Sequence, residues 1–197
     1  MKKGLFLFFV VAAMMQHTAL VAQVVDLDSA AAIVKEKGVY EQKRVVEVDG
    51  ATASKLYSRA MEALSDWTGS DGRSKAGLDY CDKEEGIVTY KGEYYNGYRK
   101  LLLGAQMPFY TDFTMKVRCK DGRAQIIVTV SSMHAILPNG TTRTFSVKEI
   151  VEAREKTDPK KLEKSNKKVE AVTVREIVEI LICAMTDALK KDVDDDF

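Results

Sequence analysis

The chain has 197 residues, 46% of them hydrophobic and 30% charged, with a formal net charge of +1. That is enough apolar material to bury a core, which excludes a chain disordered throughout. A near-neutral charge also lacks the basic footprint of nucleic-acid binding, so no nucleic-acid partner is expected.

The chain opens with a basic pair, Lys2-Lys3, an apolar run over residues 5–15 and a small-residue site, Thr18-Ala-Leu-Val-Ala22. This is the order of a secretory signal peptide spanning residues 1–22, cut between Ala22 and Gln23. The run falls short of the ~20 apolar residues of a spanning helix, so no membrane span is expected after cleavage. Cleavage would remove two of the 30 basic residues and none of the 29 acidic ones, for a mature charge of −1. His134 would be the one histidine left, since His17 lies in the leader. Residues 23–38 read as a lead-in, mobile or loosely helical.

A first strand is expected over 39–48, where valines alternate and Asp49-Gly50 ends the run. Residues 52–67 are the clearest helix. Leu56, Tyr57, Ala60, Met61, Leu64 and Trp67 fall at i, i+3 and i+4, with Thr52 as N-cap. Residues 75–81 and 87–93 read as two strands, and Tyr94-Tyr-Asn-Gly-Tyr98 as an aromatic loop beyond them.

The most strongly specified stretch is 109–133, a β-hairpin about Asp121-Gly122, since Asp-Gly suits the positive φ angles of a two-residue turn. Counting outward pairs Cys119 with Ala124, Val117 with Ile126, Met115 with Val128 and Phe113 with Val130. That face is wholly apolar. The other carries Thr114, Lys116, Arg118, Gln125, Ile127 and Thr129, and a one-residue slip would destroy the agreement. Ser146-Val-Lys-Glu149 is a capping-box pattern and predicts a short helix towards Arg154. The Lys/Glu-rich stretch 152–168 reads as a charged connection. A last helix is expected within 169–191, from the capping box Thr173-x-x-Glu176. Its stripe would be Val174, Ile177, Val178, Leu181, Ala184, Met185 and Ala188, with Cys183 on the opposite side and exposed. Residues 192–197 form an acidic tail.

The expected fold is therefore α+β, in the order β-α-β-β-β-β-α, with an antiparallel sheet and two helices on one face. The expected domain plan is a core over 39–135, a connection with a short helix over 136–168, and the C-terminal helix. Cys81 and Cys119 would lie two strands apart, roughly 9–10 Å, beyond the ~7 Å reach of a disulfide.

Five features together carry a resemblance: the leader, the strand 39–48, the helix Ser54-Lys-Leu-Tyr-Ser-Arg-Ala60 ending near Trp67, Gly86-Ile-Val, and Val117-x-x-Lys-Asp-Gly-Arg123. Over 39–133, about half of the chain, the sequence resembles the exported bacterial domain of unknown function 4468, whose fold is TBP-like (TATA-binding-protein-like). The resemblance implies a curved antiparallel sheet backed by two helices and a location in the periplasm or outer-envelope space of a Gram-negative bacterium. It brings no catalytic residues with it. The Lys/Glu-rich insert at 152–168 departs from the family's compact pattern.

No catalytic constellation, metal-ligand spacing or phosphate loop stands out, so no enzyme activity, metal or cofactor is expected. Ser132 and His134 share a strand face but lack the elbow and oxyanion-loop motifs of a nucleophilic site, which leaves a hydrolase using His134 as a minor reading. The leading expectation is a binding module that uses the open sheet face: Thr114, Lys116, Arg118, Gln125, Ile127 and Thr129, walled by Tyr94, Tyr95 and Tyr98. Its partner would be an envelope protein, a peptide or a glycan. The alternative is a self-associating structural protein, a homodimer made through Cys183 or the Lys/Glu segment.

Overall fold

A computed structural model describes residues 34, 36–69, 77–101, 104–158, 160 and 169–191. The expected signal peptide, nearly all of the expected lead-in, most of the 152–168 stretch and the acidic tail lie outside the described residues.

The elements run β1 (Tyr40–Glu47), α1 (Ala53–Gly69), β2 (Gly77–Asp82), β3 (Ile87–Lys100), β4 (Gln106–Lys120), β5 (Arg123–Ile136), β6 (Thr142–Ser146), α2 (Val147–Glu155), β7 (Val169–Ala171) and α3 (Val174–Lys190). The fold is α+β with an antiparallel sheet. Its strand order is β1-β5-β4-β3-β2, with β6 beside β5 and β7 beside β3. The chain separates into two compact units. One, here the turn unit, comprises the described residues of Glu41–Tyr94, Asp112–Val130 and Glu176–Phe197. The other, the base unit, comprises those of Met1–Tyr40, Tyr95–Thr111 and Ser131–Arg175.

In the turn unit the hairpin closes at Asp121-Gly122, with Gly122 at φ 76°. Phe113, Met115, Val117, Cys119, Ala124, Ile126, Val128 and Val130 are all buried, the face that the outward count assigned to the core. Leu56, Ala60 and Leu64 of α1 and Ile177, Val178 and Ile182 of α3 are fully buried with them. Burying each of these leucine, isoleucine and valine side chains contributes about 1.5–3 kcal/mol. The indole of Trp67 meets Tyr90 edge to face at 6.2 Å, and Tyr90 lies 6.0 Å from Phe113. Arg59 ties the two helices together by donating to the Leu189 carbonyl at 2.7 Å. Gly86, at φ 64°, leads into β3 and accepts from the Cys119 amide at 2.8 Å. A Cβ at Gly86 would stand 2.6 Å from the Cys119 carbonyl oxygen, so the close backbone approach here requires glycine.

The Asp-Gly turn also acts on the first helix. Asp121 Oδ1 accepts from the Ala53 amide at 2.8 Å, and Thr52 Oγ1 accepts from Lys55 N at 3.2 Å. Gly122 donates to Ala51 O and accepts from Val48 N, each at 2.8 Å. The first turn of α1 has no acidic residue of its own, so the hairpin supplies one at the positive helix end.

The aromatic stretch 94–98, expected to be a loop, is the continuation of β3, and from Tyr95 onwards it belongs to the base unit. Aromatic residues favour strands, and here Gly97, at φ 120°, is carried within the strand. Two strands were not expected. Residues 169–171, assigned to the last helix, pair with Gly97–Arg99 as β7, and β6 pairs with β5 from Ser132↔Ser146 to Ile136↔Thr142. Both are short. The pairing of β7 comes from a strand distant in sequence, which local periodicity does not report, whereas β6 follows β5 directly across residues 137–141, where the Leu137 amide donates to the Thr141 carbonyl at 2.8 Å. The capping box of α2 is formed as read. Ser146 N and Oγ both donate to Glu149 Oε2 at 2.8 Å, and Glu149 N donates back to Ser146 Oγ at 3.2 Å.

In α3 the sides need one correction. Ala184 is exposed and Ala188 half-buried, while Ile182 and Leu189 complete the buried stripe. Cys183 is exposed, Cys81 is exposed and Cys119 is buried, none of them in a disulfide. None of the helices among the described residues is long and apolar enough to cross a membrane.

Candidate functional site

The two helices of the turn unit leave the other side of its strands open. Thr114, Lys116, Gln125, Ile127 and Thr129 are half-buried and Arg118 is exposed, alternating strictly with the core residues of β4 and β5. Most of the charge on neighbouring strands is paired locally. Lys91 Nζ lies 2.8 Å from Asp79 Oδ1, and Lys43 Nζ lies 3.2 Å from Glu41 Oε1. Thr129 Oγ1 donates to Glu41 Oε2 at 3.5 Å. Lys116 and Arg118, unlike Lys43 and Lys91, make no ion pair or hydrogen bond with any described residue. Two residues apart on one strand, they present two cations on the same face.

The tyrosines named from sequence are not one wall. Tyr94, half-buried, belongs to the turn unit; Tyr95 and Tyr98 belong to the base unit, where Tyr95 is 52% exposed. In the base unit Tyr95 stands 5.5 Å from Tyr110, and Tyr110 stacks on His134 at 5.1 Å with 12° between the planes. Tyr110 escaped the sequence reading, although the alternation of β4 continued back from Thr114 puts it on the open side. His134 reaches that side through a change of phase in β5. Ala124 to Val130 are buried at even positions, Met133 and Ala135 at odd ones, and Ser131-Ser132 absorb the shift. With the faces of Tyr110 and His134 turned towards each other, this ladder offers edges more than open faces for stacking.

Three further features were not read from the sequence. In the turn unit the half-buried carboxylates of Glu93 and Asp112 lie within 4.8 Å of each other; two acids alone do not define a cation site. In the base unit burial lowers the pKa of the Arg99 guanidinium, whose Nε and Nη1 are buried without hydrogen-bond partners. Beside α3, Arg44 of β1 donates to Cys183 Sγ at 3.5 Å and to Glu179 Oε2 at 2.7 Å, and Gln42 also donates to Glu179. The bonds to Cys183 first and Glu179 second raise the Arg44 pKa above its ordinary value.

Residues 43–133 match the family described as "Domain of unknown function (DUF4468) with TBP-like fold". No curated protein matches the chain. Among solved structures it is similar to a DUF4468 family protein from Bacteroides ovatus, at 12% identity and a TM-score of 0.56, over 79% of this chain and 88% of that one. It is likewise similar to a TBP-like protein from Parabacteroides distasonis, at 13% identity and a TM-score of 0.55, over 78% and 94% of the respective chains. At such identities the likeness is one of fold.

Proposed function

Since this chain carries a DUF4468 domain with a TBP-like fold over residues 43–133, we propose that it is an exported, non-enzymatic binding module. In this reading it works in the envelope space of a Gram-negative bacterium and holds an acidic segment of another envelope protein on the open sheet face of its turn unit. The observation that carries the reading is the pair Lys116 and Arg118, which form no ion pair with a described residue, on a face where the lysines of the other strands, Lys43 and Lys91, each have a carboxylate partner. Gln125 and Thr129 on the adjoining strand add side-chain donors and acceptors, and Ile127 adds an apolar contact opposite Lys116. The Lys2-Lys3 leader with its apolar run supports export.

The test is in-cell photo-crosslinking. A photoreactive residue at Gln125 is expected to yield a protease-sensitive adduct that the same residue at Lys148, exposed on α2, does not. Lys116→Glu with Arg118→Glu is expected to cut the yield about tenfold or more, in a chain whose circular dichroism is unchanged. Equal adducts from both positions, or a yield indifferent to the charge reversal, overturn the proposal. A protease-resistant, glycosidase-sensitive adduct replaces the protein partner with a glycan.

A further inference from the structure

The outer side of α3 is a second surface, on the same unit but away from the sheet face. Glu176, Ile180, Cys183, Ala184, Asp187 and Lys190 are all exposed along it, with Ile180 at 45%. Glu176, Cys183 and Lys190 are seven residues apart in turn and so share one face of the helix over about 21 Å. We infer that this face docks on a second copy of itself, antiparallel, with Cys183 at the two-fold axis.

The charge order selects that arrangement. In a two-fold pair, residues equally far from the axis on opposite sides face each other. With Cys183 on the axis, Glu176 of one copy stands opposite Lys190 of the other, and the symmetry makes the pair twice. The same geometry sets each helix N-terminus beside a C-terminus, so the helix dipoles agree with the charges. A parallel pairing would oppose Glu176 to Glu176 and Lys190 to Lys190. Two like-charge approaches arise, Asp187 towards Glu179 and the Arg44 beside one Cys183 towards the Arg44 beside the other, but Arg44 and Glu179 already pair with each other at 2.7 Å. Ala184 and the thiol are the small side chains of the helix face, and Arg44 of β1 borders the thiol at 3.5 Å. Ile180 supplies the apolar contact on either side.

A face one helix wide falls well short of the ~800 Å² per partner of stable complexes, so the dimer is a weak one, sensitive to salt. Sedimentation equilibrium of the secreted chain over a hundredfold concentration range tests it. The expected result is a concentration-dependent dimer, weaker in high salt and weakened about tenfold or more by Lys190→Glu or Ile180→Lys. Glu176→Lys combined with Lys190→Glu restores it. In a Cys81→Ser background, a short bismaleimide is expected to join the dimer through Cys183. Circular dichroism checks that each variant is folded. A chain monomeric throughout, or a dimer unaffected by Lys190→Glu and Ile180→Lys, overturns the inference. Loss of the dimer leaves the Gln125 adduct in place, which keeps this surface separate from the sheet face.

Discussion

At the scale of single residues, Asp121 has two duties that its sequence context shows only in part. Asp-Gly specifies a tight turn, and that much follows from backbone preference alone. Its carboxylate also accepts from the Ala53 amide, 68 positions earlier, at the start of a helix with no acid in its first turn. An acceptor at a helix N-terminus is typically worth ~1 kcal/mol, with part of it electrostatic. Asp121→Ala is therefore expected to destabilise the protein by about 1–2 kcal/mol in urea titrations, and Asp121→Asn by less, because the amide keeps an acceptor oxygen while losing the charge. Equal losses in the two variants would assign the effect to the turn and not to the helix. Lys116 and Arg118 mark the other side of residue-scale reading. Their face follows from alternation, but their lack of partners depends on where Glu41, Asp79 and Lys91 lie, which needs the strand order.

At the scale of elements, what could be read from the chain was what local periodicity encodes. The hairpin, α1 and the α2 capping box each announce themselves within a few residues. The capping box makes a prediction with a defined sign. Hydrogen bonds from the Ser146 amide and then its hydroxyl hold the Glu149 carboxyl below its ordinary pKa of 4.5. A carboxyl with a lowered folded pKa stabilises the protein above its unfolded value and loses that contribution as pH falls through the folded one. Ser146→Ala is expected to cost about 1 kcal/mol at neutral pH. The stability gap between Glu149→Gln and the parent should be largest near neutrality and close as pH falls below about 4.5, measured by denaturant titration across that range. The parts not legible are those fixed at a distance. Nothing in Val169-Glu-Ala171 announces a strand until β3 stands beside it, and Tyr94–Tyr98 joins β3 although Asn96-Gly97 imitates a turn. Ala184 and Ile182 exchanged their expected sides because both lie near the border of a wide stripe, where a small angular error decides burial. The stacking of Tyr110 on His134 depended on the phase change at Ser131-Ser132, which no alternation pattern foretells.

At the scale of the whole molecule, the three cysteines sort by position in the fold, and the sorting can be measured. Cys81 and Cys183 are exposed, whereas Cys119 sits in the core of the turn unit at 4% exposure. Burial raises its thiol from 9.0 to about 11, since the thiolate would have to leave water. A thiol modifier at mildly alkaline pH is therefore expected to label two thiols quickly and the third only as fast as the turn unit opens. Denaturant should make all three equivalent. The same shift fixes the direction of a pH effect. An acid whose folded pKa is raised contributes stability that is complete below its unfolded value and lost as pH climbs from 9.0 towards about 11. Across that window Cys119→Ala, which has no thiol to ionise, should lose stability less steeply than the parent. Parallel slopes for the two proteins would show that Cys119 ionises as readily folded as unfolded. Rapid labelling of all three thiols without denaturant would contradict the packing of β4 and β5 against α1 and α3, and with it the separation of a closed apolar face from an open charged one.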